Sequence, residues 1–202
     1  MRSLRHWTPR YVVNRLRVLA YQRLHPGEPW LTRDMVELLK TRLTGAGRGL
    51  EWGAGRSTLW LAARLGSLVS VEHDEAYCRQ VQAALEKKGL RNVDLRFHPA
   101  EPDYVAVADT LPPARLDFVL VDGQARDLCA LAALPRLKPG GLLVVDNSNL
   151  YLPCSSYAPH SRRPADGPAS EAWGRFATTV KTWECIWTTN GVWDTALWVK
   201  PA

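Results

Sequence analysis

The chain lacks the marks of several protein classes. Its four cysteines, in 202 residues, lie far apart and form no C-x-x-C pair. This spacing excludes the usual zinc motifs and a disulfide framework. No apolar run is long enough to span a bilayer, and the first residues do not form a signal-peptide pattern. These absences predict a cytoplasmic protein without a transmembrane span.

Acidic residues are absent from positions 1–27, where six arginines account for the whole net charge of +6. No nucleic-acid-binding motif accompanies this basic segment, so we expect no nucleic-acid partner. Apolar residues recur between the arginines at helical spacing, namely Val12, Val13, Leu16, Leu19, Ala20 and Leu24. Such a helix either packs on its own domain or lies on a membrane surface, and a homodimer is left open.

Short apolar runs alternate with helical patterns from Gly49 onward. The pattern predicts strands at 50–52, 68–71, 93–97, 116–121 and 142–145, and helices at 57–65, 75–88 and 126–137. Continuous Val and Leu runs between helices are typical of a parallel sheet covered on both faces. Asn190-Gly191 between two β-rich runs predicts an antiparallel hairpin. We therefore expect an α/β fold with a doubly wound, Rossmann-like, mostly parallel sheet and a C-terminal antiparallel hairpin.

The predicted domain organisation has two parts. Residues 1–48 form an N-terminal helical cap or lid, with helices at 9–24 and 32–43, and residues 49–202 form a ligand-binding domain. Within that domain, residues 149–175 are predicted to be a substrate loop. Residues 149–169 are rich in Pro, Ser, Arg and Tyr and too long for a simple connector.

The segment LEWGAGRST, residues 50–58, follows the pattern of a ligand-binding glycine turn. Gly53 and Gly55 let a ligand approach the backbone, but Thr58 stands where the dinucleotide fingerprint has a third glycine. Glu72 ends the next strand, 19 positions after Gly53. An acid there can accept both hydrogen bonds of a ribose diol, in NAD, FAD or S-adenosylmethionine alike. The combination predicts an adenosine-type cofactor.

A wider set of motifs carries a family resemblance. It comprises Glu51-x-Gly53-x-Gly55, Glu72, Asp122 after the fourth strand, Leu137-Lys138-Pro139-Gly140-Gly141 before the fifth, and the terminal hairpin. Over residues 49–200 this set resembles a class I S-adenosylmethionine-dependent methyltransferase. The resemblance implies that fold and cofactor, with the adenine near His73 and Glu101. The implied cofactor-binding residues are Trp30, Thr32, Glu51, Gly53, Ala54, Gly55, Ser57, Thr58, Glu72, His73, Glu101 and Asp122.

Three oxygen-bearing side chains follow neighbouring strands. Asp122 ends the fourth predicted strand, and Asp146 and Asn147 end the fifth. Carboxylate and amide oxygens suit a hard cation such as Mg²⁺. The arrangement is similar to the catechol O-methyltransferase branch, which implies a metal site at these three residues. Alternatively, Asp122 contacts only the cofactor or substrate, and Asp146-Asn147 cap the following turn.

The resemblance also bears on catalysis. Catechol enzymes carry a lysine shortly after the strand-four Asp, and the nearest counterpart here is Arg126, which cannot act as a general base. Arg126 could instead bind an anionic or polyhydroxylated substrate, which leaves Asp122 and His160 as candidate bases.

The predicted activity follows from this likeness. A further likeness to small bacterial sugar O-methyltransferases of the methylmannose polysaccharide type implies a saccharide or other small-molecule acceptor. We therefore predict an S-adenosylmethionine-dependent O-methyltransferase assisted by a divalent metal. The alternatives are a metal-free N- or O-methyltransferase and a noncatalytic cofactor-binding scaffold.

Overall fold

The computed structural model describes residues 8–202 as a seven-stranded sheet flanked by helices. The helices are α1 Pro9–Leu24, α2 Arg33–Arg42, α3 Arg56–Ala62, α4 Glu75–Lys87, α5 Glu101–Ala106, α6 Arg126–Ala133 and α7 Glu171–Thr179. The strands are β1 Arg48–Trp52, β2 Ser67–Glu72, β3 Val93–Phe97, β4 Leu116–Val121, β5 Leu137–Asp146, β6 Glu184–Thr189 and β7 Asp194–Val199.

The strand order is β3-β2-β1-β4-β5-β7-β6, and β7 runs antiparallel to both of its neighbours, β5 and β6. This order confirms the predicted doubly wound sheet with a terminal hairpin. The order reverses between β1 and β4, where ligands of open α/β sheets bind beyond the carboxyl ends of the strands. Trp52 is level with Val71 of β2 and Val121 of β4, so the loops after these strands meet at one edge.

Both faces of the sheet are buried, which explains the continuous apolar runs. Val119 and Val121 of β4 pack into one hydrophobic cluster, and Phe118 and Leu120 pack into the other. Successive strand residues point to opposite faces, so a helix layer on each side must cover them. On one side α7 supplies Phe176. The other side is closed by α2 with Met35, Val36 and Leu39.

The observed elements depart from the prediction after β4. The predicted helix 126–137 ends at Ala133, and β5 begins at Leu137 rather than at 142 because Leu137 pairs with Leu116 of β4. The helices α5 and α7 were not predicted. Residues 171–175, the end of the predicted substrate loop, lie in α7, whose first turn is capped by Ser170. The functional division at residue 48 stays a prediction.

The helix α1 turns its apolar residues outward. Thr8 caps it as predicted, with its hydroxyl accepting from the Tyr11 backbone N at 3.2 Å. Val18 is its one buried residue, whereas Leu16 is 61% and Leu24 78% exposed. Within residues 8–202, no helix has the length and hydropathy needed to cross a bilayer.

Candidate active site

The turns after β1 and β4 touch through their backbones. Gly53 has a φ of +97°, and a Cβ there would lie 2.7 Å from the Gly123 backbone N. A Cβ on Gly123 would lie 2.9 Å from the Gly53 backbone N and would overlap the Tyr104 hydroxyl. Glycine is therefore required at both positions. The contact between the two turns therefore sets the requirement for glycine.

Thr58 ties this turn to β1. Its Oγ1 accepts from the Gly55 backbone N at 2.8 Å and donates to Glu51 Oε2 at 2.6 Å. Ser70 of β2 donates to the same carboxylate oxygen at 2.7 Å. A glycine at position 58 could make neither of the two Thr58 bonds. Threonine at this position therefore fixes the turn to the carboxylate of Glu51.

Glu51 is a fully buried carboxylate with one unused oxygen. Its Oε1 has no hydrogen-bond partner within the described residues. Burial raises the pKa of Glu51 to about 7, although hydroxyl groups of Ser57, Thr58 and Ser70 oppose the shift. An unpaired buried acceptor beside a glycine turn fits the ammonium group of the methionine part of S-adenosylmethionine.

The raised pKa of Glu51 predicts a pH-dependent gain in stability for Glu51→Gln. Between the ordinary pKa of 4.5 and the folded value of about 7, the unfolded chain loses its proton first. Stability of the wild type therefore falls as pH rises through this window, and the loss stays constant above it. A neutral glutamine avoids the loss, which is on the order of 3 kcal/mol for such a shift.

Urea unfolding at pH 5 and pH 8 measures this effect. The stability difference between Glu51→Gln and the wild type is expected to grow in favour of the variant at pH 8. The control is Glu184→Gln, which neutralises an exposed glutamate on β6 and should show no such trend. If the difference in free energy of unfolding between the variant and the wild type is the same at both pH values, the raised pKa of Glu51 is wrong.

Glu72 is held rigidly at the end of β2. Its Oε1 accepts from the backbone N of His73 at 2.8 Å and of Asp74 at 2.9 Å. Its side chain is only 4% exposed, and Oε2 makes no hydrogen bond within residues 8–202. A fixed carboxylate with one oxygen to spare fits a ribose hydroxyl.

A tyrosine that sequence reasoning missed lies next to this carboxylate. The Tyr104 ring meets the His73 ring edge-on, with centroids 6.1 Å apart. Burial raises the pKa of the Tyr104 phenol, so the group is neutral at pH 7. Tyr104 lies on α5, and the predicted adenine neighbour Glu101 is exposed at the start of the same helix. Tyr104 is only 1% exposed, so of the two rings only His73 is accessible to an adenine.

Arg126 joins the ends of β4 and β5. Its Nη2 donates to the carbonyl oxygen of Asp122 at 2.7 Å and to Asp122 Oδ1 at 2.9 Å. Its Nη1 donates to the carbonyl oxygen of Asp146 at 2.5 Å and to Asn147 Oδ1 at 3.3 Å. Its Nε donates to the Gly123 carbonyl oxygen at 3.0 Å. The guanidinium therefore lies among the side chains predicted to bind Mg²⁺.

Asp146 is buried behind this contact. Its Oδ1 accepts from Thr195 Oγ1 of β7 at 2.6 Å. Burial, and then the charge of Asp122, raises the pKa of Asp146 to about 8. Thr195 in turn accepts from the backbone N of Thr32 at 3.2 Å. Asp146 is thus connected to the neighbouring strand and to the segment before α2.

The predicted magnesium site is not supported. Asp122, Asp146 and Asn147 do meet at one edge, but Arg126 already engages Asp122 Oδ1 and Asn147 Oδ1. A fixed positive charge within a ligand set repels a divalent cation. Across residues 8–202, no three His, Cys, Asp or Glu side chains form a group able to hold a metal. The donor set, as arranged, does not fit the ion.

Comparisons with known proteins agree with this architecture. Residues 50–148 match the family model of a methyltransferase domain. No curated protein matches the sequence significantly.

Solved structures share the fold over nearly the whole chain. The O-methyltransferase TomG from Streptomyces achromogenes, in complex with S-adenosylmethionine, is 23% identical, with 100% of each chain covered and a TM-score of 0.63. A putative O-methyltransferase from Klebsiella pneumoniae is 23% identical, covers 98% of this chain and 94% of its own, and has a TM-score of 0.61. These likenesses establish the class I methyltransferase fold for the chain.

Three other predicted site residues, Trp30, Thr32 and His160, lie outside the glycine turn and outside the contacts of Arg126. Trp30 is 56% exposed, and its ring centroid lies 5.0 Å from Cζ of Arg56, at the start of α3. Thr32 is buried, and its hydroxyl bonds to Thr188 of β6 at 2.5 Å. His160 is exposed in the loop after β5, with a φ of +60°. Its role as a base stays a prediction.

The sequence did contain signals for two of the residues that were missed. Gly123 directly follows Asp122, so a second glycine at a strand end could have indicated the contact with Gly53. The polar residue Ser70 inside the apolar strand β2 could have indicated a buried partner for Glu51. Tyr104 and Thr195 gave no comparable signal, since each reaches the candidate site only through tertiary packing.

Proposed function

We propose that the protein transfers a methyl group from S-adenosylmethionine to a hydroxyl oxygen of a small molecule. The observation that carries the proposal is the pair of buried carboxylates, Glu51 and Glu72, each with an unused oxygen beside the glycine turn. TomG, described in complex with S-adenosylmethionine, and a Bacillus cereus O-methyltransferase in complex with S-adenosylhomocysteine support the choice of cofactor. The latter is 19% identical, covers 93% of this chain and 90% of its own, and has a TM-score of 0.60.

Asp122 is the proposed general base. When bound, the cofactor supplies an electrophilic methyl group on its sulfonium. The acceptor oxygen forms a bond to the methyl carbon while the carbon–sulfur bond breaks, and Asp122 takes the hydroxyl proton. Arg126 holds Asp122 Oδ1, whereas Oδ2 makes no hydrogen bond within the described residues and is the oxygen available for the proton. His160 is the second candidate base.

The acceptor pocket that we propose lies between α1 and the turn joining β6 to β7. This cavity has a volume of about 600 Å³ and is lined by the aromatic residues Tyr21, Trp30, Tyr157 and Trp193 together with Arg17, Arg33, Asp34 and Asn190. Thr195 pairs with Asp146, the last residue of β5, which puts this turn at the same sheet edge as Asp122. Aromatic faces mixed with hydrogen-bonding groups suit a saccharide or another polyhydroxylated acceptor.

A turnover assay tests the proposed activity. Formation of S-adenosylhomocysteine is expected with one or more members of a panel of sugars and phenols, and not with the matching amines. Asp122→Asn is expected to lower kcat about 10²- to 10⁴-fold, the usual contribution of a general base. The control Asp103→Asn, at an exposed position on α5, should keep full activity. Cofactor binding without turnover on any acceptor would favour the noncatalytic scaffold instead.

We further propose that α1 contacts an anionic membrane surface. Val12, Val13 and Leu16 are exposed on this helix, and Arg17 and Arg23 are exposed beside them. A second copy would bring these arginines against one another, because residues 8–27 contain no acid. Anionic lipid instead offers both apolar and charge complementarity. Arg2 and Arg5 lie outside the described residues.

Vesicle flotation tests this contact. The protein is expected to float with phosphatidylserine vesicles and not with phosphatidylcholine, and to be released by high salt because the attraction is screened. Leu16→Asp should abolish flotation, whereas Tyr77→Asp, an exposed aromatic on α4, should not. A dimer in solution that Leu16→Asp dissociates, without flotation, would show that a second copy covers this face.

A cytoplasmic location stays a prediction that rests on the cysteine pattern.

A further inference from the structure

The Arg126 guanidinium is the most completely bonded charged group at the carboxyl edge of the sheet. It makes five hydrogen bonds, to the carbonyl oxygens of Asp122, Gly123 and Asp146, to Asp122 Oδ1 and to Asn147 Oδ1. A guanidinium has five N–H donors, so its bonding capacity is filled. Every acceptor belongs to the last residue of β5 or to the turn that follows β4 or β5.

These acceptor oxygens together form a site for a positively charged group. One carboxylate oxygen, one amide oxygen and three carbonyl oxygens accept from the guanidinium. The carboxylate of Asp146 is almost completely buried beside them and accepts from Thr195. Such oxygen-rich clusters hold a hard cation or an arginine in proteins, because uncompensated anionic oxygens are costly to bury. The arginine side chain itself is only 15% exposed.

The position of Arg126 in the chain explains how it reaches the cluster. Ala125 adopts a left-handed conformation with a φ of +42° and begins the turn into α6. Arg126 is then the first residue of α6 and lies four positions after Asp122. The side chain can therefore fold back over the end of β4.

We propose that Arg126 is the resident cation of this site, in the place that a divalent metal would take among Asp122, Asp146 and Asn147. It acts as a positioning residue. The guanidinium neutralises the cluster and fixes Asp122 Oδ1, so that Oδ2 is left to bind the acceptor hydroxyl. The part of this role that concerns the acceptor rests on the proposed methyl transfer, whereas the occupancy of the cluster by the guanidinium does not.

The proposal predicts that removing the guanidinium creates a metal site. Wild-type protein is expected to show no Mn²⁺ binding by calorimetry or by loss of the free Mn²⁺ electron paramagnetic resonance signal. Arg126→Ala is expected to bind one Mn²⁺ at least about tenfold more tightly than the wild type, because the oxygens are freed. Arg126→Lys keeps a positive charge in the cluster and should gain no such site.

Further variants identify the site. Adding Asp122→Asn to Arg126→Ala should remove the gained Mn²⁺ binding, since one carboxylate is lost. If Arg126→Ala does not fold, Arg126→Gln removes the charge with a smaller change in shape and takes its place. If Arg126 only stabilises the fold, Arg126→Ala will be less stable than the wild type but will gain no affinity for Mn²⁺. That result would overturn the proposal.

Activity provides a separate measurement. Turnover by the wild type should be unchanged by EDTA, and turnover by Arg126→Ala should be low and partly restored by Mn²⁺. Mn²⁺ binding by the wild type that Asp122→Asn abolishes would overturn the proposal, because the metal would then displace the arginine. If no acceptor is turned over, the proposed function fails, but the metal-binding measurements still decide what occupies the cluster.

Discussion

Glu72→Ala is expected to lower the affinity for S-adenosylhomocysteine at least about 100-fold. The change removes the one carboxylate at the end of β2, and with it the proposed charge-assisted hydrogen bonds to the ribose. It also removes the acceptor of the His73 and Asp74 backbone N–H groups, so the loop beside the cofactor loses its anchor. Both effects lower the affinity for S-adenosylhomocysteine.

Isothermal titration calorimetry with S-adenosylhomocysteine measures this loss. Glu72→Gln separates the two effects, because the amide oxygen can still accept from the backbone while the charge is gone. The matched control is Glu75→Ala, an exposed glutamate paired with Arg79 at 2.6 Å on α4. Unchanged affinity in Glu72→Ala, or binding of NAD by the wild type, would contradict the proposed cofactor site.

The parallel sheet could be predicted from the sequence, because strands that are buried on both faces appear as continuous apolar runs. Leu116–Val121 is apolar almost throughout, since its alternate residues enter two different cores. The position of Glu72 could be predicted equally well, because Glu72 directly ends a strand that the sequence pattern identifies. Both features are local in the chain, so no knowledge of distant contacts was needed to infer them.

Other features depend on contacts between distant segments. The six residues of α5 are too few to show a helical period, so Tyr104 had no predicted position. The start of β5 at Leu137 follows from its pairing with Leu116, whereas Lys-Pro-Gly-Gly by itself indicates a turn. The type of cation in the Asp122 cluster could not be read from the strand ends, because the pattern of ligands does not reveal which positive group is packed against them.

Gly53→Ala is expected to destabilise the protein by about 3 kcal/mol or more and to abolish cofactor binding. The left-handed backbone contributes about 1–2 kcal/mol to this cost for a residue with a Cβ. The larger part comes from overpacking, because the new carbon would lie 2.7 Å from the Gly123 backbone N and 2.9 Å from the Asp122 carbonyl carbon. Neither contact is with a flexible side chain, so relief requires the two strand ends to separate.

Gly45→Ala is the control that isolates the contact between the strand ends. Gly45 also has a positive φ, +86°, but no atom lies within 4 Å of its ideal Cβ position. It should therefore cost about 1–2 kcal/mol, from the backbone conformation alone, and leave S-adenosylhomocysteine binding intact. Urea unfolding and calorimetry on both variants give the comparison. Equal losses of stability in the two would mean that the turns after β1 and β4 can move apart freely. A cofactor site that depends on their close approach would then be wrong.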